Sequence, residues 1–146
     1  MAAGDEPQGG ESPCLEPLLD DEGRVPDRVA VARAYGDRVV PGRARVLVDR
    51  VWPRGVTREA LRCDLWLPAV APSTELRRWF GHDGARWPAF VERYRVELAR
   101  PPRAAAVAQL LDLAAAAPLT LVFGARDRQH NQAVALAALL RERLGA

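Results

Sequence analysis

The chain has 146 residues, of which 49% are hydrophobic and 27% are charged, and this balance predicts one small globular domain. It contains no run of about eighteen apolar residues and no basic start followed by an apolar stretch, so we expect a cytoplasmic protein without a membrane span or signal peptide. Two cysteines, Cys14 and Cys63, are too few for a disulfide framework and form no metal-type pair.

Charge is distributed unevenly along the chain. Residues 1–27 contain eight acidic residues and one arginine, whereas residues 28–146 contain twenty arginines and eleven acidic residues, so the net charges are −7 and +9. The first segment is rich in glycine and proline, which predicts a disordered acidic tail. The basic remainder favours an anionic partner, either a small molecule or a nucleic acid. All 21 basic residues are arginine, a bias that GC-rich codon usage explains, so a single arginine is weak evidence for an anion site.

Short apolar segments separated by turn residues predict strands in the first half of this basic region. A first strand is predicted over residues 29–35. The clearest strand is predicted over Arg45–Val51, because a continuous aliphatic run is typical of a strand covered on both faces. Thr57 is a suitable N-cap for a brief helical turn over Arg58–Leu61, and Asp64–Leu67 is expected to be extended.

Longer helices and one further strand are predicted in the second half. These elements are a helix over residues 74–80, a helix from 83 to about 98, a helix over 103–117, a buried strand over 119–123, and a last helix from Asp127 or Arg128 to about 144. The alternation of strands and helices predicts an α/β fold for residues 28–146: a single small domain with a partly parallel sheet flanked by helices.

Two of the predicted strands end in polar loops that contain turn-forming residues. In open α/β sheets, ligands bind at the carboxyl ends of the strands, so the two loops would form one site if their strands are parallel neighbours. Arginines beside the N-terminus of the last helix would favour a phosphate or a carboxylate. The first loop offers Asp49, Arg50, Trp52, Arg54 and Gly55, and the second offers Gly124, Arg126, Asp127, His130 and Asn131.

Each of these candidates also has a purely structural interpretation. Asp49 and Arg50 could pair with neighbours across the sheet, and Trp52 could be a core aromatic residue followed by an ordinary turn. His82 and His130 could cap helices or face solvent, although histidine is the side chain most easily poised for proton transfer near neutral pH. Both could bind a metal or haem, but no local spacing supports a metal site, and no motif specifies a cofactor.

Several segments resemble the YeaO-like family of uncharacterised bacterial proteins, also called domain of unknown function 488. The resemblance covers roughly residues 28 to 144. The matching segments include Arg45–Gly55, Asp64–Leu67, Ala71–Arg77, Trp79–Asp83, the helix with Trp87, Phe90 and Tyr94, Leu121–Asp127, and His130-Asn131.

The resemblance implies a compact α/β domain of bacterial origin, and it brings no established activity. Relatives in the broader family carry cysteines near the last strand and helix, whereas this chain has none there, so the resemblance gives no support to thiol chemistry. Family members often carry alanine and lysine before the final aspartate. This chain has Gly124 and Arg126, which keeps the positive charge.

Our leading hypothesis is a small enzyme or binding domain that acts on an anionic, nucleotide-like small molecule. In this hypothesis arginines hold the anion, Asp49 orients Arg50 or acts as a base, and His130 with Asp127 transfers protons. The arginines that hold the anion in this hypothesis are Arg50 and Arg54, and Trp52 or Trp79 forms an apolar wall of the site. A nucleic-acid-binding accessory protein and a metal- or haem-binding protein that uses His82 or His130 are the alternatives.

Overall fold

In the computed structural model, which describes residues 28–145, four strands form one parallel sheet in the order β1-β4-β2-β3. The strands are β1 (Val29–Arg33), β2 (Ala44–Leu47), β3 (Leu65–Trp66) and β4 (Leu119–Phe123). The predicted α/β class and single small domain are confirmed, and the sheet is parallel throughout rather than in part. The predicted acidic tail, residues 1–27, lies outside the described residues.

The central strand β4 is buried along its whole length, as its apolar sequence predicts. It pairs with β1 in the register Val29↔Leu119 and with β2 in the register Ala44↔Leu119. Strand β2 is shorter than the predicted Arg45–Val51. Its chain leaves the sheet after Val48, whose N–H still donates to the carbonyl oxygen of Val122 at 3.0 Å, and Val51 is 71% exposed.

Five α-helices accompany the sheet within residues 28–145, and their ends largely follow the capping residues. Ser73 caps α2 by accepting a hydrogen bond from the N–H of Leu76, and Gly81, with φ +54°, ends that helix. The helices are α1 (Arg58–Leu61), α2 (Thr74–Phe80), α3 (Trp87–Leu98), α4 (Arg103–Ala116) and α5 (Gln132–Arg143).

Two predicted helix starts differ from the structure. Asp83 caps a short 3₁₀ turn over Gly84–Arg86, and α3 begins only at Trp87. The prediction that the last helix begins at Asp127 or Arg128 is wrong, because Asn131 is the N-cap of α5. None of the helices in the described part of the chain combines the length and the apolar character needed to cross a bilayer.

The two faces of the sheet are covered unequally. One face packs against α2, α3, α4 and α5 in a large core, to which each fully buried aliphatic side chain contributes about 1.5–3 kcal/mol. The other face has a small cluster of Leu47, Leu61 and Val122, over which α1 and Trp52 pack. All four helices that follow β3 therefore lie on one side of the sheet.

Candidate functional site

The two polar loops meet, because β2 and β4 are parallel neighbours. The Asp49 carboxylate lies between them: Oδ2 accepts a hydrogen bond from the N–H of Gly124 at 2.9 Å, and Oδ1 accepts one from Nε2 of Gln132 at 2.6 Å. Burial raises the pKa of Asp49 above its ordinary value, and these two hydrogen bonds oppose that rise. One side chain thus joins the ends of two strands to the first residue of α5.

This arrangement requires glycine at position 124 because there is no room for a side chain there, and not because of its backbone conformation. A Cβ atom at position 124 would lie 2.8 Å from Oδ2 of Asp49 and would displace the carboxylate. The glycine therefore permits the close approach of the Asp49 side chain to the end of β4.

A cavity of about 230 Å³ opens beside Asp49 at this edge of the sheet. It is bordered by the loop after β2, by α2 and its following loop, by α3, and by the first turn of α5. Of the predicted site residues, it is lined by Asp49, Arg50, His82, His130 and Asn131. The other residues that line it are Val51, Ala71, Pro72, Arg77, Phe80, Phe90, Ala125 and Gln132.

His130 is held at the cavity by Asp127. Its Nδ1 lies 2.9 Å from Oδ2 of Asp127, and its ring packs edge-on against Trp87 at a centroid distance of 5.2 Å. The backbone N–H of Gln129 and the contacts with His130 lower the pKa of Asp127, so this carboxylate stays ionised. Within the described residues, Nε2 of His130 has no hydrogen-bond partner.

His82 reaches the cavity from the loop after α2. Its backbone has φ +59°, in the left-handed region that non-glycine residues seldom adopt, although histidine adopts it more often than most. The exposed His82 side chain directly follows Gly81, which also has a positive φ, and its ring lies 6.3 Å from that of Phe80. This turn brings a second imidazole to the lining of the cavity.

Two arginines line the cavity, and one of them was not predicted. Arg50 is exposed and donates a hydrogen bond from its guanidinium to Oγ1 of Thr74, so it does not pair with the adjacent Asp49. Arg77 is also exposed, on the last turn of α2. No spacing signal in the sequence distinguishes Arg77 from its neighbour Arg78, because only the packing of α2 decides which of the two borders the cavity.

Seven of the predicted residues do not line this cavity. Trp52 packs over the opposite face of the sheet, its Nε1 donates to the carbonyl oxygen of Val56 at 2.6 Å, and its ring meets Trp66 edge-on at 5.6 Å. Trp79 lies between the guanidinium groups of two arginines, at 5.2 and 3.9 Å from its ring centroid. The residues outside the cavity lining are Trp52, Arg54, Gly55, Trp79, Gly124, Arg126 and Asp127, of which Gly124 and Asp127 act on it through Asp49 and His130.

The structure offers no support for a metal site or a reactive thiol in the region that it describes. Residues 28–145 contain no group of three or more histidine, cysteine, aspartate or glutamate side chains that could hold a metal ion. Burial raises the pKa of the Cys63 thiol to about 11, so it stays protonated at neutral pH. Neither His82 nor His130 therefore belongs to a ligand set among the described residues.

The fold and this cavity define a small parallel α/β domain with a pocket of mixed polar and apolar lining at the carboxyl edge of its sheet. Residues 28–146 match the family model described as "Inactive DUF488-N3 subclade", and the chain belongs to this DUF488 family.

Two similar bacterial proteins are described as uncharacterized. The uncharacterized protein Rv3073c of Mycobacterium tuberculosis is 40% identical over 116 residues, which cover 80% of this chain and 96% of that protein. The uncharacterized protein YeaO of Escherichia coli is 40% identical over 97 residues, which cover 66% of this chain and 83% of YeaO. No solved structure matches the chain.

Proposed function

We propose that this chain is a cytoplasmic binding protein whose cavity at the carboxyl edge of the sheet holds a small anionic molecule. The observation that supports the proposal is the convergence of two arginines and two histidines on one cavity of about 230 Å³. The four cationic or protonatable side chains are Arg50, Arg77, His82 and His130. A phosphate or carboxylate, including that of a nucleotide, is the group that such side chains bind best.

Helix α5 adds to this preference for an anion. Its first turn borders the cavity through Asn131 and Gln132, and the N-terminus of a helix carries a partial positive charge. The side chain of Asn131 is held within the protein, because its Oδ1 accepts from the N–H of Val134 and its Nδ2 donates to the carbonyl oxygen of Asp127. The helix therefore contributes its dipole, while the flexible arginines contribute the direct contacts.

Binding is favoured over catalysis by two observations. The family is described as inactive, and the chain has no cysteine near its last strand and helix. Proton exchange with a bound ligand is the chemistry that the cavity offers beyond binding. We assign it to His130, which Asp127 orients at 2.9 Å, and to Asp49.

Calorimetric titration of phosphorylated and carboxylated metabolites tests the proposal with two matched pairs of variants. We expect Arg50→Ala and Arg77→Ala each to weaken binding about tenfold or more, because a charge-assisted hydrogen bond contributes about 1.5–3 kcal/mol. Arg54→Ala and Arg78→Ala are the controls, since both are exposed arginines outside the cavity lining, and they should bind as the unmodified chain does. If each control variant loses as much ligand affinity as the cavity variant with which it is paired, the proposed site is refuted.

A second candidate function is nucleic-acid binding, which the net charge of +9 over residues 28–146 favours. This function predicts that all exposed arginines contribute equally to the affinity for DNA or RNA. The control variants should then lose as much nucleic-acid affinity as the two cavity variants do.

A further inference from the structure

We propose that the ligand of the cavity carries an N–H donor, such as an amino group, that binds Asp49, in addition to the anionic group. The inference rests on the proposed function and narrows its ligand to an amphoteric small molecule. It comes from a mismatch inside the cavity: an anion site lined by arginine and histidine also contains the carboxylate of Asp49.

The hydrogen bonds of Asp49 leave its charge without a cationic partner. Its two oxygens accept from neutral groups only, the N–H of Gly124 and the amide of Gln132. No cationic side chain of residues 28–145 forms an ion pair with it, although Arg50 is its direct neighbour in the chain. A carboxylate offers about four acceptor positions, and the two protein donors fill half of them. Because Asp49 lines the cavity, its other acceptor positions are available to a ligand.

The anionic group of a ligand cannot occupy the same place. Two negative charges at close range repel, and the partly buried position of Asp49 strengthens that repulsion. The anion must therefore lie toward Arg50 and Arg77, the two exposed arginines of the lining. The lining also includes the apolar rings of Phe80 and Phe90.

This lining favours a molecule that carries both an N–H donor and an anionic group, joined by a short apolar stretch that can pack against the phenyl rings. An amino acid with separated amino and carboxylate groups, or a phosphate ester with an amino group, has this chemistry. A simple anion satisfies the arginines alone. It leaves Asp49 with a charge that neither protein nor ligand compensates.

A matched ladder of ligands tests the inference on the full chain. The probes are ω-amino acids of two to six carbons, from glycine to 6-aminohexanoate, each compared with the unsubstituted carboxylate of the same length, from acetate to hexanoate. We expect at least one amino acid to bind about tenfold or more tightly than its matched carboxylate in calorimetric or NMR titration. Asp49→Asn should abolish that ratio, and because both members of each ligand pair are measured on the same variant, a general change in its affinity for carboxylates cancels.

The results separate this inference from the function on which it rests. Equal affinities along the whole ladder would overturn the amphoteric ligand while leaving anion binding intact. A ratio that survives in Asp49→Asn would overturn the role of Asp49. If neither these carboxylates nor the phosphorylated metabolites bind, the proposed function itself fails. The comparison on the unmodified chain needs no variant, so it remains decisive even if Asp49→Asn does not fold.

Discussion

At the scale of single residues, the contact between Asp49 and Gly124 connects the fold to the cavity. The carboxylate joins the ends of β2 and β4 to the start of α5 through two hydrogen bonds, at 2.9 and 2.6 Å. It also lines the cavity, so any change that moves it alters both stability and ligand binding.

Gly124→Ala should destabilise the protein by about 1–3 kcal/mol, because the new methyl group would lie 2.8 Å from Oδ2 of Asp49 and break the hydrogen bonds of the carboxylate. Urea denaturation gives the free energy of unfolding. Gly84→Ala is the matched control, since its Cβ would meet only the ring of His130 at 3.8 Å, an ordinary contact, and its stability should change by no more than about 0.5 kcal/mol. Equal effects of the two variants would contradict the assigned contact.

The raised pKa of Asp49 has a consequence for the pH dependence of stability. Burial makes the folded state bind this proton more tightly than the unfolded state does. The stabilisation of the folded state that comes from this tighter proton binding is therefore complete below the ordinary aspartate pKa of about 3.9. It is lost as the pH rises through the raised pKa of Asp49.

Asp49→Asn does not titrate at this position, so its stability relative to the unmodified chain should increase from about pH 3.5 to pH 7. Urea denaturation of both proteins across this range measures the difference, in which the effects of all other carboxyl groups cancel. A difference that stays constant, or that shifts in favour of the unmodified chain, would show that the folded state does not raise this pKa.

The sequence identified Asp49, Arg50, His130 and Asn131 as candidates because polar residues after strands are visible in the pattern, and it identified His82 because histidine is readily poised for proton transfer. It did not identify the residues whose importance depends on packing between distant segments. Gln132 reaches Asp49 only because α5 starts beside β2, and Arg77 borders the cavity only because of the way α2 packs. Conversely, Trp52 follows the same strand as Asp49 but packs over the opposite face, because the chain has left the sheet by then.

At the scale of elements, the start of α5 determines how the second loop is shaped. Both Asp127 and Asn131 are good N-cap residues, and sequence alone does not choose between them. In the structure Asp127 accepts from the N–H groups of Gln129 and His130, which forms a turn, and Asn131 caps the helix. The four residues before Asn131 thus form a loop, and that loop places His130 at the cavity.

Asn131→Ala should cost about 1–2 kcal/mol, because it removes the cap of α5 and the hydrogen bond to the carbonyl oxygen of Asp127 from a residue that is only 3% exposed. It should also weaken ligand binding, because the loop that carries His130 loses its anchor. Asn131→Ser retains a capping oxygen and loses only the second bond, so it should recover most of the stability. Denaturation and ligand titration on the same samples check both effects, and an unaffected Ala variant would exclude the capping role.

At the scale of the whole molecule, the alternation of strands and helices was enough to predict an α/β domain. The apolar pattern that identifies each strand or helix is set by residues that are close together in the chain. The order β1-β4-β2-β3 was not predictable in the same way. It depends on β4, the last strand in sequence, inserting between β1 and β2, which are separated from it by more than seventy residues. That insertion brings Asp49 and Gly124 together, so the position of the site follows from the topology.

The unequal charge of the chain is also a property of the whole molecule. Residues 1–27 carry −7 and residues 28–146 carry +9, so the full chain has a net charge of only +2. Nucleic-acid binding depends on total positive charge and weakens steeply with salt, whereas a ligand enclosed in the cavity depends on a few local contacts. The two candidate functions therefore respond differently to removal of the acidic segment.

Deletion of residues 1–27 should raise the affinity for a DNA duplex of arbitrary sequence about tenfold or more at roughly 50 mM salt, and this gain should shrink steeply toward roughly 200 mM. The affinity for the anionic ligand of the cavity should change less than about threefold, because the residues that line the cavity are all retained. Filter binding and ligand titration of both chains provide the comparison. If neither the full chain nor the shortened chain retains DNA or RNA at low salt, the nucleic-acid function is eliminated. A parallel tenfold change in ligand affinity would instead indicate that net charge, rather than the cavity, governs small-anion binding.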